Sequence, residues 1–355
     1  MADGRERRRT RGRDEQERRR TRGTRAPRPD RSERPSKPAV VPANASITTV
    51  RRDGALPGMR APVMLVTEPD EDHALLDSGD GLKLEQYGEM RVVRPEAQAL
   101  WPPRLKADEW QRADAVFTGE TDERSDEESK GRWAFPNGPR GDVWPMAHDG
   151  IAYHGRLTAF RHMGVFPEQA AHWRWMEERL RPGDRVLNLF AYTGLASLAA
   201  ARAGAEVTHV DASKKAIGWA RENAAQAGLS ERPVRWICED ASRFVEREGR
   251  RGKTYDLILL DPPKFGRGPN GEVWELFEHL PGLLSACRDI LSPRPLGIVL
   301  TAYAVRASFF ALHGLMGETM RGMGGTVESG ELTIRERGDE ARLLPTSLFS
   351  RWVGR

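Results

Sequence analysis

From residue 185 onward the chain alternates short apolar runs with longer segments of helical periodicity, and that grammar leaves few folds open. The apolar runs cover 185–190, 206–210, 234–238, 255–260 and 296–301, and they read as strands. Helices are expected near 195–203, 214–227, 242–248, 273–291 and 306–320. Crossovers of this length join parallel strands and cover both faces of the sheet. A closing antiparallel hairpin from 326–334 and 347–352 completes seven strands, so the fold class is α/β with a mostly parallel sheet.

The residues before this region follow other rules. Residues 1–44 are rich in Arg, Pro and Gly with almost no apolar content, and such a segment is expected to be disordered. Residues 45–160 read as a small β-rich domain. Its runs at 74–76, 82–84 and 90–93 are separated by turn-forming Asp77-Ser78-Gly79-Asp80-Gly81 and Tyr87-Gly88-Glu89, the spacing of an antiparallel meander. The polar, acidic stretch 118–132 reads as a surface loop. Six of the ten tryptophans fall between Trp101 and Trp175; the core of a small β domain is the expected place for them, with a base-stacking platform as the alternative. Residues 166–180 read as a helix entered at Pro167, and the third unit runs 161–355.

Charge is unevenly spread. Residues 1–38 carry fourteen Arg and one Lys against seven acids, a net of +8; the whole chain is +4, so the remainder is −4. The basic character belongs to the tail, which is either an arm for phosphate backbones or a solubilising extension. No apolar run approaches the roughly 18 residues of a membrane helix. Two cysteines, Cys238 and Cys287, make neither a disulfide framework nor a metal cluster, and a reducing cytoplasm is the expected setting. Acids interleave the tail's arginines, unlike a transit peptide. His148, His154, His162 and His172 match no metal-ligand spacing, so no metal is expected.

In such a sheet, ligands bind beyond the carboxyl ends of the strands where strand order reverses. The residues that follow each strand are therefore the informative ones. After the first come Asn188-Leu189-Phe190-Ala191-Tyr192-Thr193-Gly194, with one glycine for close backbone approach and a helix start behind it. This is not the triple-glycine fingerprint of a dinucleotide site, and Phe190 and Tyr192 fill the approach; a smaller, partly cationic ligand fits better. Asp211 follows the second strand, about 20 residues on, where an acid bonds ribose hydroxyls or caps the next helix. Glu239-Asp240-Ala241 follows the third, where an acid accepts from an exocyclic amine or caps a helix. Asp261-Pro262-Pro263-Lys264-Phe265 follows the fourth. Its two prolines stop the strand and present Asp261 at the sheet edge to accept a hydrogen bond or a proton, and Phe265 offers a stacking face.

Together these motifs resemble class I S-adenosylmethionine-dependent methyltransferases, a Rossmann-like fold. More closely, N-L-F-x-Y-T-G, D-P-P-x-F and Gly164-Val165-Phe166-Pro167-Glu168-Gln169 are similar to a bacterial large-subunit ribosomal RNA methyltransferase family acting on cytosine C5 or guanine N7. The resemblance is good over 161–301 and loose over 45–160. It implies S-adenosylmethionine as cofactor and RNA as substrate; the mildly acidic remainder of the chain leaves a protein or small molecule as the alternative acceptor, and a non-catalytic cofactor- or RNA-binding module is the other reading. It implies that Phe190, Tyr192, Thr193 and Gly194 border the methionine part, that Asp211 holds the ribose, and that Asn188, Ala212 and Ser213 also bind the cofactor. Asp240 and Ala241 would take the adenine, and Gln169, Asp261 and Pro262 would touch the cofactor. Pro263, Phe265 and Tyr303 would shape the substrate pocket.

One departure matters. Cytosine C5 needs a cysteine thiolate added at C6 before it attacks a methyl, and the fifth strand ends Leu300-Thr301-Ala302-Tyr303-Ala304 without one. Cys238 and Cys287 read as structural. Direct transfer to a base nitrogen is therefore expected, with Asp261 as proton acceptor and Lys264 assisting.

Overall fold

The computed structural model describes residues 49–119, 131–303, 305 and 307–354. The tail at 1–44 and most of the 118–132 stretch lie outside them. The described residues form one compact unit.

Among the described residues the main sheet holds nine strands rather than seven. Seven come from the region where they were expected. Across the sheet they run Val234–Cys238, Glu206–Asp211, Arg185–Leu189, Leu257–Leu260 and Gly297–Tyr303, all parallel, then antiparallel Leu343–Val353 and finally Thr326–Arg335. The two added strands, Gly58–Met59 and Val63–Thr67, pair in parallel with Thr326–Arg335. They cover part of an edge that would otherwise offer free backbone groups to another chain.

Alternation along each strand sends side chains to two cores. Val186, Leu257, Leu259 and Val299 pack with the helices Ala170–Glu177 and Leu195–Arg202. Leu187, Leu189, Ile258, Leu260, Ile298 and Leu300 face the other way, onto Ala241–Arg250, Leu276–Asp289 and Phe309–Thr319. The sheet is thus buried on both faces, as its apolar parallel strands require.

The β-rich N-terminal region is present as a sheet of five strands. His73–Gly79, Leu82–Tyr87 and Met90–Pro95 form the antiparallel meander, extended by Ala115–Phe117 and Trp133–Ala134. A separate hairpin joins Val143–His148 to Ile151–Arg156. The tryptophans here serve structure. Trp101, Trp110, Trp133 and Trp144 donate their indole N–H to Ser78, Asp77, Thr158 and Tyr87, and Trp173 and Trp175 are buried.

Two expected helices are corrected. The segment after Phe166 begins as a 3₁₀ turn, Pro167–Gln169, and continues as an α-helix only to Glu177. The helix expected from residue 273 starts at Leu276. Val273–Glu275 instead pairs with Phe265–Arg267 as a β-hairpin, because Gly268, Asn270 and Gly271 form a tight turn between them. Among the described residues, no helix is long and apolar enough to cross a membrane, and no three His, Cys, Asp or Glu side chains converge to hold a metal.

Candidate active site

Strand order reverses between the neighbours of Arg185–Leu189, and a cleft opens there at the carboxyl ends. It encloses about 590 Å³, counting its open mouth. The loop after Arg185–Leu189 forms one wall in a strained conformation. Phe190 and Tyr192 have φ of +56° and +48°, and Gly194 has +87°. Strained non-glycine residues of this kind concentrate where a loop is held for function. The Phe190 ring rests 4.9 Å from that of Trp274, whose N–H bonds the Pro263 carbonyl, so the 265–275 hairpin braces this wall and the Asp-Pro-Pro turn together.

Asp261 stands at the end of Leu257–Leu260 and lines the cleft. Gln169 Nε2 donates to its Oδ2 at 3.0 Å, and Thr301 Oγ1 donates to Gln169 Oε1 at 3.2 Å. The Thr301 hydroxyl thereby fixes which end of the Gln169 amide meets the acid. Burial pushes the Asp261 carboxyl up to about 7, nearby Glu168 adds to the rise, and the Gln169 N–H opposes it. Glu168 is itself buried and raised by that burial, against the pull of Lys83 and Arg94 from the small sheet.

Of the residues marked out in the sequence, Gln169, Asn188, Phe190, Tyr192, Thr193, Gly194 and Asp261 line this one cleft. Three of these have side chains committed to structure. Asn188 Nδ2 donates to Ser197 Oγ at 3.0 Å, Thr193 Oγ1 donates to the Gly164 carbonyl at 2.7 Å, and Gln169 is held as described. Asp211 lies just beyond, tied in by the Tyr192 N–H at 2.8 Å and the Ser213 N–H at 2.7 Å. Burial raises its carboxyl and those two N–H groups oppose the rise. A carboxylate has about four lone-pair sites, so acceptor capacity remains for a ligand. Ser213 caps Lys214–Gln226, and Asp240 caps Ala241–Arg250 by accepting from the Arg243 N–H at 3.0 Å. Ala212 meets the Cys238 thiol through its carbonyl at 3.6 Å. Ala241 and Pro262 are buried, Pro263 is exposed, and Lys264 and Phe265 are half-buried.

Sequence reasoning missed Phe166, His172, Trp173 and Thr301, all of which line the cleft. Thr301 was open to discovery as the last residue assigned to the fifth strand. His172 was not: it is 3% exposed, neither ring nitrogen has a hydrogen-bond partner, and burial lowers its pKa to about 3. Cys287 is fully buried, and Cys238 is exposed on the third strand; neither lines the cleft.

The donor set decides what the cleft suits. Among the described residues no Lys or Arg lines it, and the ionisable groups that do are Asp261, Tyr192 and His172. Such a wall disfavours a diphosphate and favours a ligand that carries positive charge. A sulfonium nucleoside such as S-adenosylmethionine fits.

Comparisons with known proteins agree. A family model described as S-adenosylmethionine-dependent methyltransferase matches residues 118–293. The crystal structure of the SAM-dependent methyltransferase from Agrobacterium tumefaciens is 58% identical and superposes with a TM-score of 0.83, covering 87% of this chain and 99% of that one. A structure solved in complex with S-adenosylhomocysteine (SAH) is 20% identical with a TM-score of 0.60, over 80% of this chain and 76% of that one; likeness at that level shows the fold alone. Among curated relatives, the ribosomal RNA large subunit methyltransferase K/L of Shewanella baltica is 34% identical over 146 residues, and that of Syntrophotalea carbinolica is 38% identical over 117. These stretches are 41% and 33% of this chain, but only 20% and 16% of the relatives' own length.

Proposed function

The chain belongs to the S-adenosylmethionine-dependent methyltransferases, and from that premise we propose that it methylates RNA, by direct transfer to a base nitrogen. The cofactor, when bound, supplies an electrophilic methyl group on sulfur. The protein's task is then to hold the two reactants in line, keep water out and take up a proton.

The observation that carries the chemistry is the Asp261 carboxyl, fixed by Gln169 on the cleft wall and titrating near neutrality. With the cofactor bound, the base nitrogen would take the methyl group as the methyl–sulfur bond breaks and its electron pair stays on the departing thioether sulfur, and Asp261 would accept the N–H proton that the methylated nitrogen sheds. The Gln169 N–H steadies the resting carboxylate, and Thr301 keeps that amide from flipping. Asp211 accepts from the ribose hydroxyls with its remaining lone pairs, beside Ala212 and Ser213. Asp240 and Ala241 meet the adenine. Asn188, Phe190, Tyr192, Thr193, Gly194 and Pro262 shape the cofactor's surroundings. Pro263 and Phe265 border the acceptor, with Lys264 beside them. No thiolate stands in the cleft, which argues against the covalent route to cytosine C5.

Three things support RNA as the acceptor: the relatives' names, the net +8 of residues 1–38, and the half-open aromatic wall of the cleft. The test incubates the full chain and labelled S-adenosylmethionine with total RNA and protein from cells lacking the gene. Label is expected in RNA, on a base nitrogen by nucleoside mass spectrometry. Asp261→Asn should lower transfer by roughly 10²–10⁴-fold. Label confined to protein or small molecules would overturn the RNA reading. Undiminished transfer by Asp261→Asn would overturn the role of Asp261.

A further inference from the structure

We propose that Phe166, Tyr303 and His162, backed by Arg161, form the recess that receives the target nucleobase, taken out of any helix. This rests on the RNA reading above and adds the pocket and the unpaired state of its occupant.

Tyr303 ends the Gly297–Tyr303 strand, on the same face as Thr301. Two strand residues advance the chain by roughly 6.6 Å. The Tyr303 ring therefore stands one step nearer the mouth than the hydroxyl that holds Gln169 and, through it, Asp261. Phe166 closes the corner from the opposite segment, three residues before Gln169. Its ring lies 5.9 Å from Tyr303 at 57°, 5.7 Å from Tyr192 at 56° and 4.8 Å from His162; His162 meets Tyr303 at 6.1 Å and 68°.

Four rings around one corner would be ordinary in a core, but all four are half-buried here, and Phe166 and Tyr192 line the cleft itself. A cation accompanies them. The Arg161 guanidinium lies over the Tyr303 ring at 5.4 Å. Rings backed by a cation beside a cleft form the composition by which proteins hold unpaired bases, because every base has a π-face and each is flanked by phosphates. A base within a duplex cannot enter a recess at the foot of which an acid waits, so the occupant is single-stranded or extruded.

The corner is held rigidly from behind. Arg94, on the small sheet, is bidentate to buried Glu85 at 2.8 and 2.9 Å and donates its remaining Nη1 to the Arg161 carbonyl at 2.6 Å. The small sheet thus sets the backbone that carries Arg161, His162 and Phe166. The structure gives it a positioning role in substrate binding.

Fluorescence anisotropy tests this with a fluorescein-labelled, unstructured 12-nucleotide RNA and the same RNA annealed to its complement, using the full chain saturated with SAH. Wild-type protein should prefer the single strand. Tyr303→Ala should weaken that binding by roughly 5- to 150-fold, the range of one lost base–aromatic stack, and Tyr303→Phe should stay within about threefold of wild type. Arg161→Gln, which keeps every ring, should weaken it by about two- to fivefold. SAH affinity, measured by calorimetry, should be retained in all three and reports folding. Wild-type binding to RNA that neither Tyr303→Ala nor Arg161→Gln reduces would overturn the pocket alone. Wild-type protein that binds neither form of RNA would overturn the RNA reading and the pocket with it.

Discussion

Asp261 combines two properties that oppose each other. Its burial keeps it a strong enough base to take a proton near pH 7, and the same burial penalises the charged form in the resting fold. The folded pKa, about 7, lies above the ordinary carboxylate value of 3.8. Between those values the folded state holds more protons than the unfolded one, so this group's contribution to stability falls as pH rises through that window. Asp261→Asn removes the titration while keeping an acceptor for Gln169. Thermal unfolding should show the variant more stable than wild type at pH 8, with the difference shrinking to nothing near pH 4. A difference that does not change with pH would mean that Asp261 is not shifted. Asp261 and Gln169 were each evident in the sequence, one from its place after a strand and the other from the resemblance. Their bond to each other was not, since it joins positions 92 residues apart and no local pattern encodes such a pairing.

The element that organises the cleft is the turn from Arg185–Leu189 into Leu195–Arg202. Its legibility came from parity: alternation sends Val186 and Asn188 to the same face as Leu257, Leu259, Val299 and Thr301, so the chemistry collects on one side of the sheet. The left-handed backbone at Phe190 and Tyr192 was not legible, because bulky residues rarely adopt it. At Gly194 the demand is double. A Cβ there would lie 3.0 Å from Ala220 Cβ and 3.3 Å from His209 Cε1, in addition to the strain of φ +87°. Gly194→Ala should therefore lower stability by about 2–4 kcal/mol, adding left-handed strain to overpacking. Gly183, at φ +88° with nothing within 4 Å of a Cβ, isolates the strain alone, and Gly183→Ala should lower it by roughly 1–2 kcal/mol. Denaturant unfolding of both variants checks this; equal losses would show that packing around Gly194 does not matter. The 265–275 hairpin, misread in part as helix, shows the opposite failure: the short Val273-Trp274-Glu275-Leu276 run has no decisive period of its own, and the preceding glycine turn decided its state.

At the scale of the whole molecule, the sheet's central strands and their order followed from the alternation of strands and helices. Its edge did not. Gly58–Met59 and Val63–Thr67 are short, flanked by prolines, and pair with partners more than 260 residues away, so nothing local marks them as strands. Their place beside Thr326–Arg335, together with Arg94 on the Arg161 carbonyl and the pull of Lys83 and Arg94 on Glu168, ties the N-terminal region to the segment that borders the cleft. We propose that one cleft holds a sulfonium nucleoside with Asp211 at its sugar end and Asp261 at its reacting end. Calorimetric titration of SAH into the wild type, Asp211→Ala and Asp261→Asn tests that division most directly. Loss of hydrogen bonds to a charged acceptor at Asp211 should weaken SAH by roughly 10- to 150-fold, whereas Asp261→Asn should bind within about threefold of wild type. Equal, undiminished SAH binding by all three proteins would contradict it.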